Sequence, residues 1–486
     1  GRGARSTPIF AAAPLLAEPS VPDTRPGPMF ARLIRNVVTL AASLFYRLER
    51  RGAAVPDGPV LLAANHPNSL LDPILVFATA GRDSRPLAKA PLFQQRVVGR
   101  LIRGVGGIPV YRREDDPGKM GRNQETFRAA IAALHEGAAI QIFPEGRSHS
   151  DPSLSPLRTG AARMALAAEA AAEWGAGVRI VPIGITYVRK SSFRGRAVVV
   201  YGEPIAVAAY RALHEEDARA AARALTAALD RRLRALTLDL AEAEDAELID
   251  TAEGLWALEK GLRTPRERVP LGERLPRFQA FARGLAWLRV HDPDGHRRLV
   301  DAVRDYRRRT RLLGAGSGEV PERYGVGPSL RWVVERALPV VLLSPLAGLA
   351  VLAWWPPYRF VGAVVARQEL PEDVVATYKV AGSLLAYPLF LALWAAVLGW
   401  AAGWPWAVAG VLVLPAVGLV AVPWLDRARD VVDDLRLFRA VRRARGAPES
   451  LAAERQRLVA EFDALRALQE DDPPAADRRV SGGPGR

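Results

Sequence analysis

The apolar run "LLAANHPNSLLDPILV" is interrupted by His66, and Asp72 follows six residues later. An imidazole can take a proton from an alcohol near neutral pH, and a carboxylate on its other nitrogen fixes tautomer and orientation, so the pair has the parts of a general base. A capping and packing role for the same two residues is the bland alternative, because such spacings arise by chance in long chains. A second cluster adds to the first. "AAIQIFPEGRSHS" sets Glu145, Gly146, Arg147 and Ser148 directly after another apolar run, and a third run, "GIPVY", ends at Arg112 and Arg113. A base, a carboxylate and guanidiniums gathered in one crevice suit a phosphorylated alcohol, since arginine binds phosphate through paired donors. Arg113 reads as a solvated turn residue.

These side chains converge only if the segments before them are neighbouring, mostly parallel strands, whose carboxyl ends share one edge of a sheet. The pattern between Val55 and Pro204 fits that demand. Strand-like runs "VLLAAN", "PLAKA", "GIPVY", "AAIQIF", "RIVPIGITY" and "AVVVYG" alternate with helical patterns near Pro67–Ala80, Leu92–Ile102, Met120–Glu136 and Arg158–Ala172. Such alternation predicts an α/β domain with a mixed sheet flanked by helices, over 51–206. Ahead of it, 1–28 is rich in Pro, Gly and Ala and reads as a mobile leader. Residues 29–50 carry apolar positions at helical spacing with arginines opposite, an amphipathic helix read as lying in a membrane interface.

Behind the α/β domain, 207–330 reads as a helical module without a functional signal. Residues 331–426 form a membrane region. Val380–Leu425 holds no charged residue and is broken near "GWAAGWPW", which is long enough for two spans, about 380–400 and 405–425. A buried helical hairpin is the soluble alternative. Residues 337–355 are also uncharged but contain Pro339 and Pro345, so this stretch spans or re-enters. Basic residues flank all three stretches, from Arg331 and Arg336 through Arg359, Arg367 and Lys379 to Arg427 and Arg429; placing all of them on the cytoplasmic side requires re-entry at 337–355. A cytoplasmic helical tail is expected over 427–486.

Composition bounds the chemistry. The chain has 486 residues, 49% of them hydrophobic, enough for two or three folded units. It has no cysteine, which excludes disulfides, thiolate metal sites and a thiol nucleophile. A formal charge of +15 predicts an anionic partner, although an arginine-rich genome would produce the same excess. Basic segments interleaved with aromatics are missing, so no nucleic-acid partner is expected. "HDPDGH" (291–296) reads as a polar turn between helices rather than a metal site.

Four blocks in order resemble the phospholipid and glycerol acyltransferase family: "NHPNSLLD", "GGIPVYR", "FPEGRS" and "VPIGITY", between Asn65 and Tyr187. The resemblance covers about residues 30–205 and implies a glycerolphosphate acyltransferase-like fold. It implies transfer of a fatty acyl group from acyl-CoA or acyl carrier protein to a glycerophosphate hydroxyl, with no cofactor beyond that co-substrate, in a bacterial inner membrane with the catalytic domain cytoplasmic. His66 would be the base and Asp72 its orienting partner. Arg112 would help hold the phosphate, Glu145 and Gly146 would shape the acceptor site with Arg147 and Arg158 as further substrate-binding residues, and Pro182 would lie in the acyl-chain region. Two departures stand out: five residues rather than four separate His66 from Asp72, and Arg147 precedes Ser148. Both resemble the branch of fungal glycerol-3-phosphate and dihydroxyacetone-phosphate acyltransferases and their bacterial relatives, with lysophosphatidate as the alternative acceptor.

Two rivals come from other classes. A hydrolase would use Ser148 with His149, but the second glycine of a nucleophile elbow is missing. A non-catalytic scaffold would bind acidic lipid through its arginines, and acyl transfer from a labelled donor separates it from an enzyme.

Overall fold

The computed structural model describes residues 28–96, 98–111, 123–242, 244–262, 269–312, 330–443 and 447–471. The expected leader lies outside these but for Pro28, which opens helix α1 (Pro28–Phe45). Arg112 and Arg113 also lie outside them.

The α1 helix ends earlier than its apolar period predicts. At Tyr46 the chain becomes strand β1 (Tyr46–Gly52), paired in parallel with a later strand from Tyr46↔Gly195 to Gly52↔Tyr201. Ladder pairing and complete burial of the Tyr46 ring outweigh the local helical pattern, so the expected helix over 29–50 is corrected to 28–45. The exposed side of α1 carries Leu33, Val37 and Leu40.

Beyond β1, the apolar runs form β2 (Val60–Ala64), β3 (Ser84–Lys89), β4 (Ile108–Val110), β5 (Ala139–Ile142), β6 (Arg179–Val188) and β7 (Gly195–Tyr201), followed by a short β8 (Ile205–Ala206). Between them lie α2 (Leu71–Thr79), α3 (Ala90–Gln94), α4 (Val98–Gly104), α5 (Asn123–His135) and α6 (Gly160–Ala171). The strand order is β1-β7-β6-β2-β5-β3-β4, with β8 on β6. β2 is central and runs parallel to β5 on one side and β6 on the other, while β6 and β7 are antiparallel. The sheet is mixed, and β2, β5 and β6 end on one edge.

Each face of the sheet is covered. Leu62, Val181 and Ile183 pack on Ala42 and Phe45 of α1 and on Leu71 and Leu75 of α2. Leu61, Ile140 and Ile180 pack on α5 and α6 and on Leu225 and Leu229 of α8 (Ala218–Leu236), which follows α7 (Arg211–Glu216). The helical module continues with α9 (Asp245–Glu259), α10 (Leu271–His291) and α11 (Pro293–Leu312). Asp292 accepts from the Gly295 amide at the start of α11, and the His291 ring stacks on Trp287, so "HDPDGH" is a capped helix junction.

Three long helices follow: α12 (Leu338–Ala366), entered through a π-helical turn at Val333–Ala337, α13 (Glu372–Ala402) and α14 (Trp404–Arg443). All three are long and apolar enough to cross a membrane. α14 runs unbroken from the apolar region into the expected tail. The last helix, α15 (Ala447–Asp471), returns to the helical module, where Leu451, Leu458 and Phe462 join the α9–α11 core.

α12 changes direction. Its first half runs against α14, with Trp332 Nε1 donating to Asp434 (2.7 Å), Trp424 Nε1 to the Val340 carbonyl (2.8 Å) and Trp354 Nε1 to the Leu414 carbonyl (3.0 Å). Its second half runs against α13, with Trp394 Nε1 on the Ala353 carbonyl (3.1 Å), Phe360 beside Phe390 and Val361 beside Gly382. Because α13 and α14 are themselves antiparallel, no straight helix can do both, and the turn falls at Pro356 and Pro357. Proline removes the helical donor for the carbonyl four residues back. Trp394 supplies a donor for Ala353 in place of Pro357, and the Ser344 hydroxyl supplies one for Val341 in place of Pro345 (2.7 Å).

Candidate active site

β2 delivers Asn65 and His66 to the sheet edge. Asn65 acts as one more strand residue: its amide donates to the Ile185 carbonyl (3.0 Å) and its oxygen accepts the Ile185 N–H (2.7 Å). The chain then turns sharply. Helix α2 starts at Leu71 rather than near Pro67, and Ser69 takes a left-handed conformation (φ 44°). This turn brings Asp72 back to His66, and the His66 Nδ1 to Asp72 Oδ2 distance is 2.9 Å. The five-residue spacing thus closes into a contact.

Asp72 is completely buried, and its carboxylate is held from several directions. Oδ2 also accepts the Asn68 N–H (2.7 Å), and Oδ1 accepts the Tyr187 hydroxyl (2.7 Å) from the end of β6. Burial first, and then the Asp72 charge, push the Tyr187 phenol well above its usual range, so it stays a proton donor. The Tyr46 phenol is pushed up in the same way, mainly by burial. It accepts from Asn68 Nδ2 (2.8 Å) and donates to the Lys190 carbonyl. The His66 ring stacks on Phe143, with centroids 4.1 Å apart. With Nδ1 on Asp72, Nε2 is the nitrogen left to accept a proton.

β5 delivers the second cluster. Glu145 is buried, and both of its oxygens accept from the chain itself: Oε1 from the His66 N–H (2.7 Å), Oε2 from the Ser155 N–H (2.9 Å) and from His149. It ties the turn after β2 to the long loop between β5 and α6. Gly146 has φ 78°, and a Cβ there would lie 2.7 Å from Arg158 Nε, so only glycine lets that guanidinium cross the loop. Arg147 is exposed and pairs with Asp151 (3.3 Å). The Ser148 hydroxyl donates to Asp373 (2.6 Å) while His149 turns to Glu145, so these two do not form a nucleophile and base. Pro182 is buried within β6, opposite the gap between β7 and β8 where its missing N–H disturbs no ladder, and it lies away from the cleft described next.

A cleft of about 180 Å³ opens next to the turn that carries the pair, with Asn65, Pro67, Glu145, His149, Tyr187 and Lys190 in its wall but neither His66 nor Asp72. Thr186 Oγ1 is buried in that wall with no hydrogen-bond partner among the described residues. Thr237, Leu238 and Leu240, in the link between α8 and α9 of the helical module, close the far side, so this module has a share in the site that its sequence did not reveal. Tyr46, Asn68, Phe143 and Tyr187 are the other contributors missed by motif reading. The strand end put Tyr187 on the same edge, but nothing local tied it to Asp72.

Residues 47–186 match the family model described as Acyltransferase. Over 150 residues the chain is 36% identical to glycerol-3-phosphate O-acyltransferase 2 of Saccharomyces cerevisiae, covering 31% of this chain and 19% of that protein. It is 27% identical over 293 residues to glycerol-3-phosphate O-acyltransferase 1 of the same yeast, covering 56% and 37%. It is also 27% identical over 153 residues to the 1-acyl-sn-glycerol-3-phosphate acyltransferase of Bacillus subtilis, covering 31% and 67%. The chain thus spans well under half the length of the two yeast relatives. Among solved structures, the 1-acyl-sn-glycerophosphate (LPA) acyltransferase PlsC of Thermotoga maritima is similar at 20% identity and a TM-score of 0.32, over 41% of this chain and 78% of that one.

Proposed function

Starting from the membership of residues 47–186 in the acyltransferase family, we propose that the chain moves a fatty acyl group from acyl-CoA or acyl carrier protein to glycerol-3-phosphate or dihydroxyacetone phosphate. The observation that carries this reading is the His66–Asp72 contact at the sheet edge, beside a cleft that holds Lys190 and an unpartnered hydroxyl. His66 Nε2 takes the proton of the acceptor hydroxyl as its oxygen attacks the thioester carbonyl. The carbon–sulfur bond breaks, and the same proton passes to the departing thiolate. A thioester already has a good leaving group, so one positioned base suffices without a covalent enzyme intermediate. Arg112, Arg147 and Arg158, the arginines in and beside the motif blocks, would hold the acceptor phosphate. The reading places the enzyme in a bacterial inner membrane with the α/β domain on the cytoplasmic side.

Lysophosphatidate is the second acceptor to consider, because the Bacillus subtilis relative is matched over 67% of its length. Turnover of the purified full chain with glycerol phosphate, dihydroxyacetone phosphate and lysophosphatidate, side by side, decides between them. Loss of the base in His66→Ala should lower transfer by about a hundred- to ten-thousand-fold, and Asp72→Ala should leave a trace. Normal turnover by folded His66→Ala protein would end this mechanism, and absence of transfer to every acceptor would favour a lipid-binding scaffold.

A further inference from the structure

The tip between β6 and β7 (189–194) is gripped by all three apolar helices. The Phe193 ring lies 5.9 Å from that of Tyr358 on α12. The Ser191 carbonyl accepts from Lys379 Nζ of α13 (2.7 Å). Arg194 pairs with Asp426 of α14 (2.8 Å), and Asp426 also holds Arg47 of β1 (2.8 Å). The α13 helix reaches further: Ala376 and Val380 belong to the same core as Leu62, Leu71 and Ile183, and Asp373 accepts the Ser148 hydroxyl three residues beyond Glu145. The tip itself is held in a costly shape, since Arg189 (φ 58°) and Arg194 (φ 60°) are both left-handed without being glycine.

From this tip, hydrogen bonds lead back to the carboxylate beside His66. The Lys190 carbonyl accepts the Tyr46 hydroxyl, the Tyr46 oxygen accepts Asn68 Nδ2 (2.8 Å), and the Asn68 N–H donates to Asp72 Oδ2 (2.7 Å). Tyr187, two residues before the tip, holds the other carboxylate oxygen. Each link is buried or partly buried, where a hydrogen bond restricts geometry more strongly than at a wet surface.

We propose that the apolar helices are a working part of the active site: by seating the β6–β7 tip they set the position of Asp72 through Tyr46 and Asn68. Tyr46 and Asp426 are then positioning residues, and turnover is tied to correct insertion of the helices. This rests on the reading of His66 and Asp72 as the catalytic pair.

The test uses the full chain in lipid vesicles, with kcat and KM measured for donor and acceptor. Tyr46→Phe removes only the hydroxyl that joins Asn68 to the tip, and Asp426→Asn weakens the grip on Arg194. Each should lower kcat by about tenfold while KM stays within about twofold, since the loss of one buried hydrogen bond acts on geometry rather than on binding. Because both act along one path, the double variant should be no worse than the poorer single. Tyr46→Phe carries the test alone if Asp426→Asn fails to insert. Unchanged kcat in Tyr46→Phe, or multiplying losses in the double variant, overturns the proposal. His66→Ala run in parallel separates the two readings: if that variant turns over normally the mechanism itself has failed, whereas an inactive His66→Ala beside a fully active Tyr46→Phe removes the coupling alone.

Discussion

Asp72 accepts from His66, Asn68 and Tyr187, and each donor changes what the carboxylate can do for the imidazole. The Tyr187 hydroxyl on Oδ1 fixes the carboxylate in the orientation that meets the ring. Tyr187→Phe leaves that buried oxygen without its donor, so kcat should fall by roughly three- to tenfold, the scale of one buried hydrogen bond. An unchanged kcat would show that Tyr187 only packs. The wild-type phenol should cause no loss of rate in mildly alkaline solution, because burial and the Asp72 charge keep it protonated there. His66 and Asp72 were legible from type and spacing. Tyr187 was not, because it lies 115 residues from Asp72 in sequence and reaches it only through the pairing of β2 with β6.

At the scale of elements, the turn from Pro67 to Leu70 decides whether α2 can return its carboxylate to β2. Ser69 holds this turn in a left-handed conformation that costs a non-glycine residue about 1–3 kcal/mol. Glycine adopts the same angles freely, so Ser69→Gly should keep its turnover and match or slightly exceed the wild-type melting temperature. A β-branched residue suits the position least, and Ser69→Val should lower both stability and kcat. Equal melting temperatures and equal rates for the two variants would remove the turn from the account. The central strands were readable because β2, β5 and β6 are buried apolar runs bounded by turn residues. β1 was not, because "YRLERRG" carries four charges at a sheet edge and follows a helix whose period runs into it. The wall that Leu238 and Leu240 give the cleft was equally hidden, since nothing local marks which surface an apolar loop residue will cover.

For the whole molecule the decisive question is parity. Three helices are apolar enough to cross a membrane, yet an odd number of crossings would put α15 on the opposite side from α9–α11, against which it packs. The bend at Pro356 and Pro357 resolves this. The start of α12 lies beside Asp434, eight residues beyond the Asp426 that holds Arg47 and Arg194. Its end connects through 367–371 to the first turn of α13, where Asp373 meets Ser148. Both ends therefore lie on the side of the α/β domain, and this arrangement predicts that α12 dips into a membrane and returns while only α13 and α14 cross. Arg331, Arg336, Arg367, Lys379, Arg427 and Arg429 would then share one side, as charge bias demands, while Arg359 sits two residues past the bend. The chain has no cysteine, so single cysteines report this without background. In sealed vesicles, an impermeant thiol reagent should reach Gln368→Cys and Gln456→Cys from the side of the α/β domain, and Ala402→Cys from the other. Labelling of Gln368→Cys from the side opposite the α/β domain, with Ala402→Cys reached from the domain's own side, would mean that α12 crosses completely. The contacts of α15 with the helical module would then have to break, because the four-residue step from Arg443 to Ala447 is far too short to recross a hydrocarbon core about 30 Å thick.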